Sequence, residues 1–134
     1  LACAAALAAI ETIEQEKLAE RAAKIGQIFD ERSKAWAKRW PLIGEVRGLG
    51  AMRAIELVLS SDKKEPAKEE TEQILRYCHA HGLILISAGS YGNVLRLLVP
   101  LIITDEQLNE GLDVVQAAIA EVAENRVEAS PRLA

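Results

Sequence analysis

Cysteine is scarce in this sequence. The two present, Cys3 and Cys78, stand far apart and in no CxxC pair, which argues against a disulfide framework and against a zinc site built on paired thiolates. A reducing, cytoplasmic compartment is the simplest expectation. A basic excess is also lacking: the formal net charge is -4, whereas a nucleic-acid partner needs a clustered basic surface. No apolar run approaches the roughly 20 residues that span a bilayer, so no membrane segment is expected. The alanine-rich opening, residues 1–10, has no basic stretch and is followed directly by Glu11 and Glu14, which does not fit a secretory signal. No serine has the setting of a nucleophile elbow, and no carboxylate pair stands out for acid–base work.

What remains is the composition of an ordinary soluble domain. Half of the 134 residues are apolar and 27% are charged, enough for one domain with a real core. Residues 1–15 read as a helix with Cys3, Leu7, Ile10 and Ile13 on its buried side. That helix has no Ser, Asp or Asn to cap its start, and its alanine surface is nearly featureless, so a further part of the protein is expected to cover it. Residues 16–40 continue or restart the helix, with the apolar stripe Leu18, Ala22, Ile25, Phe29, Trp36, Trp40 ended by Pro41. The two tryptophans on that stripe read as core or subunit contact.

Glycines 44, 48 and 50 punctuate a turn between two strands, the second over residues 51–59, with Arg53 and Glu56 on opposite faces. Arg47 and Arg53 read as structural. Residues 60–65 form a polar loop, and Pro66 is placed to be the first residue of a helix that runs over residues 67–80, buries Ile74, Leu75 and Cys78, and stops at Gly82. His79 and His81 at its end point to different faces and so do not share a metal. Strands follow at residues 83–87 and 94–99. Thr104-Asp105-Glu106-Gln107 matches a capping box, and Leu108, Leu112, Val115, Ile119 and Val122 mark the buried stripe of a last helix. The tail at residues 126–134 is polar and expected to fray. This order implies an α+β fold, a small and mostly antiparallel sheet with helices packed on one face.

One residue is out of place in this scaffold. Val94-Leu95-Arg96-Leu97-Leu98-Val99 sets a guanidinium in the middle of an apolar strand. A buried unpaired charge is costly, so Arg96 either pairs with a glutamate of the same domain or faces a wet cleft, where its planar fork suits a carboxylate. The preceding loop Gly89-Ser90-Tyr91-Gly92-Asn93 adds Tyr91 and Asn93 as further candidates.

Three segments carry a resemblance to a known family: Leu1-Ala2-Cys3-Ala4-Ala5-Ala6-Leu7-Ala8, Val46-Arg47-Gly48-Leu49-Gly50-Ala51-Met52, and the run from Gly89 through Arg96 to Leu101. In order and separation they resemble the C-terminal part of class III (subgroup II) aminotransferases, the last segment most of all the 4-aminobutyrate aminotransferases. The resemblance implies the C-terminal small domain of a fold-type-I enzyme that depends on pyridoxal 5'-phosphate, with residues 1–15 as an interdomain helix and residues 16–125 as the domain proper. It implies a missing N-terminal large domain that holds the cofactor, and a homodimer or dimer of dimers. It also implies transfer of an amino group from an ω-amino acid to 2-oxoglutarate, with Arg96 matching the arginine that binds a substrate carboxylate. Lys17, Lys24, Lys34, Lys38, Lys63, Lys64 and Lys68 all lie on charged helical faces or in the polar loop, where nothing lowers an amine's pKa. None is expected to be the Schiff-base lysine, so this piece is expected to bind no cofactor and to be inactive alone. Other class III enzymes (acetylornithine or ornithine aminotransferases, an aminomutase), an inactive homologue, and a non-catalytic module docking a partner on its alanine face stay open as alternatives.

Overall fold

Apolar residues spaced by three and four become helices and those spaced by two become strands along nearly the whole chain. The computed structural model describes residues 1–60, 62 and 64–129. In chain order these are α1 (Ala2–Gln15), α2 (Leu18–Arg39), β1 (Ile43–Leu49), β2 (Met52–Leu57), α3 (Lys68–Ala80), β3 (Ile86–Ala88), β4 (Val94–Leu98) and α4 (Asp105–Ala129). The strands form one antiparallel sheet in the order β1-β2-β4-β3, so the fold is α+β as the element order implies.

The sheet has two unlike faces because strand side chains alternate. Val46, Ile55 and Leu95 lie in register on one side, and Ile55 and Leu95 are fully buried in a core shared with Phe29 of α2, Ile74 of α3 and Leu112 of α4. Arg47, Ala54, Arg96 and Ile86 lie in register on the other side. That side also carries exposed Leu49, Met52 and Leu98; it is the open face.

α2 follows its predicted stripe. Ile25, Phe29, Trp36 and Trp40 are buried, Trp36 meets Phe29 edge-on at 6.4 Å, and its indole N–H donates to Gln116 Oε1 at 2.7 Å. Both tryptophans are core residues, and Trp36 ties α2 to α4. Gly26 lets α2 approach the β1–β2 turn: a Cβ there would lie 2.5 Å from the Gly50 carbonyl oxygen. Gly50 itself takes a left-handed φ of 53°, which favours glycine. Arg53, on the covered face, pairs with Asp30 of α2 at 3.1 Å and donates to the Gly50 carbonyl at 2.9 Å, a structural tie. At α4 the capping box forms in both directions, with Gln107 N donating to Thr104 Oγ1 and Thr104 N donating to Gln107 Oε1, each at 3.2 Å.

Several expectations need correction. α1 buries none of its residues: Leu7, Ile10 and Ile13 are about half exposed or more, because among the described residues α1 packs chiefly on α2 and runs off the core. The helix restarts rather than continues, with Lys17 at φ 52° between α1 and α2. Pro66 does not open α3. It lies in an extended bridge with Val58, and the helix begins at Lys68 after Ala67, since the Ala67 N–H is drawn to the Leu57 carbonyl first. β3 is shorter than expected and shifted towards the loop, as Leu83 closes the α3 terminus by donating to Cys78 O. The last helix continues past Asn125 to Ala129, and Arg126 within it pairs with Glu70 at 3.3 Å and donates to Leu59 O. The rest of the expected tail, residues 130–134, lies outside the described residues, as do Ser61 and Lys63 of the polar loop. Both cysteines are free, and burial pushes the Cys78 thiol up to about 11. No helix among the described residues is long and apolar enough to cross a membrane.

Asp105, at the start of α4, accepts from Lys24 at 2.6 Å and from Arg21 at 2.5 Å, and these two α2 cations hold its carboxyl below the ordinary value. A lowered carboxylate stabilises the fold above its unfolded-state pKa of about 3.9, and that contribution is lost as pH falls through the folded value. Thermal unfolding across this range should therefore show Asp105→Asn melting below the parent at neutral pH, with the gap closing below about pH 4. A constant gap would contradict this role.

Candidate functional site

Arg96 sits at the centre of β4, between Ala54 of β2 and Ile86 of β3. The sequence left two fates open for it, and the structure places it exposed on the open face. Its burial cost is therefore avoided by position and not by an internal partner, for no carboxylate among the described residues pairs with it. Its neighbours on the covered side, Leu95 and Leu97, carry the packing that makes the strand look wholly apolar in sequence.

Arg96 lines two cavities. One, of about 330 Å³, lies on the open face with Ala54 as its floor between Arg47 and Arg96, and Met52, Ala88 and Val94 around it. The other, of about 320 Å³, is an apolar groove between the β3–β4 edge and α4, reaching Leu85, Leu108 and Leu112. An exposed planar fork with two parallel donors at the mouth of apolar hollows can hold a carboxylate while the ligand's chain lies against hydrocarbon.

The other charges on this face are satisfied among themselves. Glu45 and Glu56 stand directly opposite each other across β1 and β2, an unfavourable pairing of like charges. Arg47 relieves it by donating to Glu45 Oε2 at 3.1 Å and to Glu56 Oε2 at 2.6 Å. Arg47 is thereby tied into the sheet by two ion pairs. The triad is not legible in the sequence, where the period of two joins Glu45 to Arg47 but nothing local sets Glu56 beside them. The missing signal was the register of β1 against β2.

The loop candidates separate. Asn93 is buried; its side-chain amide donates to Leu57 O at 2.8 Å while its own carbonyl accepts from Leu57 N at 2.8 Å. It pins the loop to the end of β2 and lines neither cavity. Tyr91 is exposed at the loop tip and likewise lines neither. The histidines are engaged apart: His79 Nε2 donates to Leu85 O at 2.9 Å, and His81 stacks on Tyr77 at 4.0 Å and bonds its carbonyl. No cluster that could hold a metal exists among the described residues.

Comparison with known proteins bears on what this face serves. Residues 1–119 match the family model for class-III aminotransferases. The chain belongs to the class-III aminotransferases. A probable 4-aminobutyrate aminotransferase of Bacillus subtilis is 45% identical over 119 residues, covering 89% of this chain and 27% of that protein. The 4-aminobutyrate aminotransferase of Escherichia coli is 44% identical, covering 90% and 28%, and a 5-aminovalerate aminotransferase of Pseudomonas putida is 43% identical, covering 92% and 29%. Among solved structures, a Bacillus anthracis aminotransferase superposes with a TM-score of 0.81 at 34% identity, over 90% of this chain and 28% of that one. A class-III member thus spans here little more than a quarter of the length of the curated relatives it matches.

The scaffold role of Asn93 can be tested. Asn93→Ala removes one buried hydrogen bond while Leu57 O keeps its bond from Ala67 N, so denaturant unfolding should show a loss of about 1 kcal/mol. An unchanged unfolding free energy would contradict this role.

Proposed function

We propose that the full-length protein is a pyridoxal-phosphate-dependent aminotransferase that moves the amino group of 4-aminobutyrate, or a similar ω-amino acid, to 2-oxoglutarate. In this reading the present domain supplies Arg96 as the anchor for the substrate carboxylate. The carrying observation is that Arg96 is an open-face arginine with no carboxylate partner among the described residues, lining two hollows in a chain of this family. The relatives named for 4-aminobutyrate and for 5-aminovalerate favour an ω-amino acid of four or five carbons. Fixing the acid end of such a flexible chain turns binding energy into orientation of the amine at the other end.

The cofactor would supply an aldehyde that accepts the amine and an electron sink for the transfer. The residues present do not fit its anchorage: among the described residues, none lining the two cavities beside Arg96 is a lysine. A Schiff-base lysine and a phosphate cradle therefore belong, in this proposal, to a large domain outside this chain, and the piece alone is inactive. A homodimer or dimer of dimers in the cytoplasm is part of the same proposal.

Arg96 offers paired N–H donors to a carboxylate, and the aliphatic walls exclude water around the methylenes, which strengthens that charge-assisted contact. In the full-length enzyme Arg96→Ala should raise KM for both the amino acid and the oxo acid roughly 10- to 100-fold. Unchanged KM values for both substrates would contradict the assignment.

A further inference from the structure

Arg96 is open although a carboxylate of its own sheet lies within reach. Glu56 pairs across the sheet with Val94, and Ala54 pairs with Arg96, so Glu56 is the diagonal neighbour of Arg96 on the same face. Diagonal neighbours are about 7–8 Å apart, a span that long side chains bridge. The same holds on the other side: Glu56 pairs with Glu45, and Ala54 pairs with Arg47, making Glu56 the diagonal neighbour of Arg47 as well. By register Glu56 stands between two guanidinium groups. It turns to Arg47, at 2.6 Å, and leaves Arg96 without an ion pair among the described residues.

We infer that Arg47 is a positioning residue, which by gripping Glu56 together with Glu45 keeps the sheet's own carboxylates off Arg96 and leaves that guanidinium open to a ligand carboxylate. The inference rests on the carboxylate-anchor reading of Arg96. Remove Arg47, and Glu45 repels the opposed Glu56 with nothing to bridge them, while Arg96 becomes the nearest guanidinium on that face. Glu56 then pairs with Arg96 and competes with the substrate for the same donors. The apparent affinity falls by the fraction of time Arg96 remains free, which for an exposed ion pair is a factor of about two to five.

The test uses full-length holoenzyme carrying Arg47→Gln, the double change Arg47→Gln with Glu56→Gln, and Arg96→Ala, with melting temperatures recorded beside the kinetics. The expected result is that Arg47→Gln raises KM for both the amino acid and the oxo acid about two- to fivefold with kcat retained. The double variant returns KM to the parental value although it restores no ion pair. A purely structural Arg47 would leave the double variant as impaired as the single one. Should Arg47→Gln melt too low to assay, Arg47→Lys, which keeps the charge but loses the fork spanning two carboxylates, shows a smaller rise with the same rescue. A flat KM in whichever variant folds, or a raised KM that Glu56→Gln does not rescue, overturns the inference. If Arg96→Ala leaves KM unchanged, the anchor reading itself fails. If Arg96→Ala raises KM while the Arg47 variants do not, only the positioning role of Arg47 fails.

Discussion

The two-residue period of the four strands is the constraint on which everything else here depends. With α2, α3 and α4 contributing to the core on one side, Ile55, Leu57, Leu95 and Leu97 are driven inward. Their alternates have no choice but to face outward. Arg96 is exposed for that reason, and Ala54, Arg47 and Ile86 are brought beside it for the same reason. A slip of one residue in β4 would bury the guanidinium and expose Leu95 and Leu97, so the hydrophobic core and the orientation of the arginine are specified by one register.

Much of this was legible in the sequence. The α2 stripe, the capping box at Thr104, the α4 stripe and the glycine stop at Gly82 are local signals, each decided by residues within a turn or two, and each forms as expected. Failures came where a segment's fate is set by a distant partner. α1 has an apolar side, but the described residues leave it exposed. Pro66 suits a helix start, yet its neighbour Ala67 is committed to Leu57 by a hydrogen bond across the chain. Arg126 looks like part of a polar tail until Glu70 and Leu59 appear beside it.

The site divides in the same way. Arg96 stood out because a charge interrupts an apolar strand, a purely local anomaly. Its two possible fates could not be separated without knowing which face the helices cover. Asn93 drew notice through its glycine-rich loop and proves to be a buried tie. The Glu45–Arg47–Glu56 triad escaped notice because three exposed charges on two strands are unremarkable until pairing shows two carboxylates face to face.

The open face carries Leu49, Met52, Ile86 and Leu98 exposed together, more apolar surface than a domain usually leaves to water. In the proposed enzyme the remainder of the protein covers part of it, and the ligand lies where the cover meets Arg96. The most direct measurement is a crystal structure of the full-length protein with a bound ω-amino acid analogue or dicarboxylate. The account predicts a ligand carboxylate at bidentate hydrogen-bond distance from Arg96, about 2.7–2.9 Å, with Glu56 still held by Arg47. A ligand carboxylate bound elsewhere while Arg96 pairs with a glutamate of its own chain would contradict it.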